Sequence, residues 1–198
     1  MIFSRSLIPQ AFWISAVLGL GGCGSAPPLG GSLPADTVTL VGAPPYAFDC
    51  DAPPGKYRNA TAALSANKVR VKGFVQFLTW QGDSTFGPWA TIVFAGPAKQ
   101  SDVGLQAFVL PNAPDSIQFA VESGLAQEGH ERAVFATTPL SGTLTPFELS
   151  VVGPGNVNVS VGSVTKTVSV APGELTRVNL SCSTAHVRFS GVTVIALP

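Results

Sequence analysis

Between Asn156 and Val161 valine alternates one for one with small polar residues: Val157, Val159 and Val161 against Asn156, Asn158 and Ser160. A period of two sends successive side chains to opposite faces of an extended chain, so such a run separates core from water only as a strand. The pattern recurs in Ser116–Glu122, where Ile117, Phe119 and Val121 face inward and Gln118, Ala120 and Glu122 outward. It recurs again at Phe147, Leu149 and Val151, in Val164–Val170, and at Val178, Leu180 and Cys182. Ala90–Phe94 and Val103–Leu110 are apolar on both faces, as strands in the middle of a sandwich are expected to be. Two long runs change face part-way: Val69–Trp80 near Gly73, which predicts a bulge there, and Val187–Leu197 near Ser190-Gly191. The 21 Gly and 17 Pro fall between runs, as in Gly153-Pro154-Gly155 and Pro172-Gly173, where they mark turns. Only Asn59–Asn67 suggests a helical turn, with Asn59 as cap ahead of Ala60, Ala62, Ala63 and Leu64. Together these runs predict an all-β fold, a two-sheet antiparallel β-sandwich of about ten strands. No fixed-period repeat points to a propeller or solenoid.

The first residues have a different character. Arg5 precedes a short, mostly apolar run from Leu7 to Leu20, the layout of a secretory signal. The run contains Pro9 and falls short of the roughly 20 apolar residues that span a bilayer. It ends in Leu20-Gly21-Gly22-Cys23, which resembles a bacterial lipobox. The resemblance implies removal of residues 1–22 and lipidation of Cys23, with acyl chains holding the protein to a membrane. Gly24 after that cysteine is similar to the pattern sorted to the outer membrane in Gram-negative lipoproteins, which implies a domain in the periplasm or at the cell surface. Residues 23–35, rich in Gly, Pro and Ser, are then a tether, and 36–198 the sandwich.

Lys plus Arg and Asp plus Glu each number 11, so the net charge is zero, and nothing clusters as nucleic acid requires. With Cys23 lipidated, Cys50 and Cys182 are left as a pair that an oxidising compartment would join. That disulfide would close more than a hundred residues and stabilise the fold by about 4–5 kcal/mol in the chain-entropy model.

The stretch Phe147–Val194 resembles the end of a concanavalin A-like jelly roll, the lectin, laminin-G and glucanase architecture. A strand FELSVV, a hairpin NVNVSVGSVTKTVSV and the late strand Val187–Val194 carry the resemblance; Ser190 and Gly191 replace the Asp-Asn of the family pattern. It implies fold rather than activity.

Candidate chemistry is sparse. Glycosidases of that family carry acids in a motif like E-x-D-x-x-E, whereas here only Glu122, Glu148 and Glu174 fall in or beside strands, each in a different one. No G-x-S-x-G elbow is present. Glu128-Gly-His130-Glu131 crowds possible metal ligands into one loop, although zinc sites usually draw on separated elements. Asp49, Asp51, Asp83 and Asp102 are oxygen donors for Ca²⁺ without a contiguous ligand loop, so no cofactor is expected. The clearest surface feature is Trp80-Gln81-Gly-Asp83-Ser84-Thr-Phe86-Gly-Pro-Trp89, three rings and hydrogen-bonding side chains around a hairpin-like loop. Sugar C–H faces stack on such rings while hydroxyls bond amides and carboxylates, which makes Trp80, Gln81, Asp83, Phe86 and Trp89 candidate ligand contacts. Burial of Trp80 and Trp89 inside the sandwich is the competing expectation. The sequence thus favours a non-catalytic, membrane-anchored lipoprotein binding a glycan or envelope partner. The alternatives are a structural envelope component without a small ligand, and a divergent glycoside hydrolase-like enzyme.

Overall fold

The computed structural model describes residues 37–40, 44–64, 68–81, 87–96, 102–123, 133–140, 142–170 and 175–197. The strands are β1 (Thr37–Thr39), β2 (Tyr46–Asp51), β3 (Tyr57–Ala63), β4 (Val69–Trp80), β5 (Trp89–Ala95), β6 (Val103–Leu110) and β7 (Ala113–Ser123). They continue as β8 (Val134–Pro139), β9 (Thr145–Gly153), β10 (Asn156–Val161), β11 (Val164–Ser169), β12 (Arg177–Ser183) and β13 (Ala185–Ala196). Two sheets result, a seven-stranded one in the order β1-β3-β12-β5-β6-β7-β8 and a six-stranded one in the order β11-β10-β9-β4-β13-β2. All pairings are antiparallel except β1 with β3. The architecture is the expected all-β sandwich, jelly-roll-like, with thirteen strands rather than about ten. A short edge strand such as β8 carries too little alternation to be counted from sequence.

The inward faces meet as the alternation dictates. Val71, Val75, Phe77, Leu149, Val159, Val187 and Phe189 of one sheet join the same core as Ile92, Phe94, Leu105, Phe119 and Leu180 of the other. Cys50 on β2 and Cys182 on β12 are both fully buried and disulfide-bonded, with Cα atoms 6.0 Å apart, so the bond ties one sheet to the other.

Two local expectations are corrected. The segment from Asn59 is strand β3, not a helical turn, because its backbone pairs with β12 over seven residues and with β1. That tertiary pairing outweighs the modest helix preference of its alanines, and Ala60 and Ala62 become core residues. The second correction concerns Gly73. β4 alternates without a break across it, and the bulge lies in the neighbouring strand. Gly191 and Val192 of β13 together face Gly73, Gly191 has φ +59°, and the inward face passes from Phe189 to Val192. Gly73 is small because a Cβ there would lie 3.1 Å from the Ser190 carbonyl oxygen and from Val192. The face switch expected at Ser190-Gly191 is therefore this bulge.

A candidate glycan-binding sheet face

Trp80 and Trp89 end up on different sheets. β4 pairs with β9 and β13, while β5 pairs with β12 and β6, so the strands on either side of this stretch are not the arms of one hairpin. Trp80, at the end of β4, is 36% exposed; Trp89 is 5% exposed on the seven-stranded sheet. Gln81 is exposed and donates its backbone N–H to the Thr184 carbonyl at 3.1 Å. Asp83 and Phe86 lie outside the described residues, as do Glu128, His130 and Glu131.

The oxygen donors do not converge. Asp49 is engaged with His186 (Oδ1 to Nε2, 2.6 Å) and Arg188 (Oδ2 to a guanidinium nitrogen, 3.7 Å). Asp102 is buried and accepts the Gly96 N–H at 3.0 Å. No group of three His, Cys, Asp or Glu suited to a metal occurs among the described residues.

The outer face of the seven-stranded sheet holds a more organised set. The inward residues of β6 are Val103, Leu105, Ala107 and Val109, which places Gly104, Gln106 and Phe108 on the opposite face. The strand registers align these with their neighbours in rows. One row reads Asn59, Ser181, Thr91, Gln106, Ala120 across β3, β12, β5, β6 and β7. On one side of it runs Tyr57, Ser183, Trp89, Phe108, Gln118, and on the other Thr61, Asn179, Val93, Gly104, Glu122. Ser181 Oγ donates to Asn59 Oδ1 at 3.0 Å, and Ser183 Oγ to the Lys56 carbonyl at 2.9 Å.

The centre of this face is buried, as double-sided apolarity of β5 and β6 predicts, but it is not wholly apolar. Gln106 is 0% exposed, and neither its amide oxygen nor its nitrogen has a hydrogen-bond partner. The Trp89 indole N–H and the Asn179 amide oxygen are likewise buried without a partner. Each such group costs about 1–3 kcal/mol. Phe108, Gln118, Ser181 and Asn179 around them are half-buried.

Charge is sparse on this face. Among the described residues of its rows and their continuations, the charged ones are Arg177 on β12, Glu122 on β7 and Asp102, which precedes β6 on the side of Gly104 and Gln106 and is fully buried. The outer face of the six-stranded sheet is the opposite. It carries Asp49, Asp51, Arg70, Lys72, Glu148, His186 and Arg188, with Arg70 Nε 3.2 Å from Glu148 Oε1. Sequence reading missed the polar rows because they become visible only once strand order and register are known; the available signal was Thr91 and Gln106 standing within two otherwise apolar strands.

No family model matches this chain, and no curated protein matches it in sequence. Solved structures do match. The alginate lyase from Alteromonas sp. 272 superposes with a TM-score of 0.52 at 8% identity, covering 75% of this chain and 86% of that one. The polysaccharide lyase family 18 protein aly-SJ02 gives a TM-score of 0.52 at 9% identity, covering 77% and 88%. The likeness is one of fold. At such identities it carries no residue-by-residue assignment.

Proposed function

We propose that the chain is a cell-envelope lipoprotein, anchored through acyl groups on Cys23, whose sandwich binds a glycan without cleaving it. The observation that carries the binding reading is the set of half-buried side chains Phe108, Gln118, Asn179 and Ser181 on the outer face of the seven-stranded sheet, which brings a ring, two amides and a hydroxyl to the surface around the buried row. Such groups match the hydroxyls of a sugar, and the half-buried Phe108 ring beside them supplies a stacking surface. Trp89 belongs both to this face and to the segment picked out by sequence, while the exposed Trp80 lies on the other sheet. Glycoside hydrolysis works with a pair of acids, whereas of the two on this face among the described residues Asp102 is fully buried and accepts the Gly96 N–H, which leaves Glu122 without an accessible acid partner. That favours binding over hydrolysis.

A polysaccharide pull-down with the full chain tests the reading: retention on at least one polymer, reduced by Trp80→Ala or Phe108→Ala, is expected. Retention on none leaves the structural envelope role ahead. Cys23→Ala is expected to move the protein from the membrane to the soluble fraction, and a variant that stays membrane-bound removes the lipid anchor from the proposal. An enzymatic reading is favoured by one observation, that both superposed proteins are named lyases. New reducing or unsaturated chain ends appearing during incubation with a bound polymer would establish it.

A further inference from the structure

We propose that Lys166 guards β11, an edge of the six-stranded sheet, against pairing with β11 of a second copy of this chain. β11 bonds to β10 alone among the described strands. The Val170 N–H donates to the Gly155 carbonyl at 2.8 Å, so by alternation Val168 and Lys166 also bond toward β10, while Thr165, Thr167 and Ser169 turn N–H and C=O away from it. A row of this kind is a template for another strand. On the outer face the hydroxyls of Thr165, Thr167 and Ser169 are bonded to Ser160, Asn158 and Asn156 at 2.8, 2.7 and 3.4 Å, and they bring no charge. On the inner face Val164 and Val168 lie opposite Val161 and Val157, and Val168 packs against the core. Lys166 interrupts that stripe. It stands opposite the fully buried Val159, is half-buried itself and is the one charged residue of β11.

The other edges are blunted differently. β1 has three residues, and β2 carries the exposed Asp49 and Asp51. β8 holds an extra residue against Phe119 and Ala120 and ends in Pro139. β11 has six residues, unbroken register with β10 and no proline, so its protection falls to Lys166. An antiparallel pair of β11 strands that uses all three outward residues sets Thr167 opposite Thr167 and Lys166 against the second copy's Val168. With Thr165 opposite Thr167 instead, lysine meets lysine. The first arrangement leaves two ammonium groups in an apolar seam and the second sets like charges together, and both are unfavourable. Without the lysine the valine stripe and the free backbone groups favour the joined sheet, and the acidic β2 edge holds the assembly to a dimer.

The experiment uses the full chain in mild detergent, with Thr167→Cys as reporter, because pairing sets Thr167 beside its counterpart. Lys166→Val, Lys166→Thr and Lys166→Arg are compared with wild type, each with and without the reporter. Mild oxidation should raise the yield of reporter-dependent crosslinked dimer about tenfold in Lys166→Val and Lys166→Thr, and leave it unchanged in Lys166→Arg. Amide exchange at Thr165, Thr167 and Ser169, followed without the reporter, should slow by about the same factor in the first two variants as concentration rises. Lys166→Thr removes the charge without adding apolar surface, and it reads the same point if the valine variant misfolds. A high yield with and without the lysine shows that the edge pairs regardless and overturns the proposal. A low yield with unchanged exchange in both variants shows that something else closes the edge and overturns it equally. Crosslinking of Lys166→Arg as strong as that of Lys166→Val overturns charge as the cause.

Discussion

Reducing the Cys50–Cys182 bond is the perturbation whose size the structure fixes best. The bonded residues are 132 positions apart, and a closed loop of that length removes about 5 kcal/mol of chain entropy from the unfolded state. Both sulfurs are buried between the sheets, so the folded state keeps its packing when they separate into thiols and the effect falls mainly on the unfolded ensemble. In a domain of this size each 1 kcal/mol moves the melting temperature by about 2–4 °C, so reduction should lower it by about 10–20 °C. Thermal and urea unfolding of oxidised protein, of protein reduced while unfolded, and of Cys50→Ala/Cys182→Ala are the assays. The urea slope should steepen in the reduced and doubly substituted forms, because an unlinked chain exposes more surface when it unfolds. A fall in midpoint with no change of slope would place the effect in the native state and refute the entropic reasoning. A shift under about 3 °C would refute the bond's contribution altogether.

Two substitutions test local packing. A Cβ at Gly104 would lie 2.8 Å from Val93 Cγ2 and 3.1 Å from the Ile92 carbonyl oxygen, so Gly104→Ala should destabilise by about 1–3 kcal/mol in urea. Adding Val93→Ala should recover part of that loss, and an additive pair would show that the two positions do not touch. Gly191→Ala should cost about 1–2 kcal/mol from its φ of +59° alone, since the nearest Phe74 ring carbon, at 3.6 Å, is an ordinary contact. A melting temperature equal to wild type would mean that the bulge relaxes away.

What could be read from the chain was whatever has a period of two. Val157, Val159 and Val161, or Ile117 and Phe119, declare their faces locally, and so the sandwich, its core and the burial of Cys182 followed. Pairing partners are set by distant residues and were not legible. Trp80 and Trp89 look like the arms of one hairpin because nine positions separate them, yet their strands bond to β13 and β12, a hundred residues downstream. Asn59–Ala63 looks helical for the same reason, since only β12 tells it otherwise. Gly73 was noticed as an irregularity, but the sequence does not say that the distortion belongs to its partner strand. The candidate binding rows escaped notice because each contributes one residue per strand from five strands.

The places of β12 and β13 bear on how the molecule is made. β12 lies between β3 and β5, and β13 between β2 and β4, so each sheet has an interior slot that stays empty until the last segment arrives. During synthesis these strands leave the ribosome last. Until then β2 has no strand partner and β3, β4 and β5 each have one side unpaired, and those edges must be kept from other chains. Closure is then a late, long-range and slow event, and the nascent protein depends on whatever shields it while it waits.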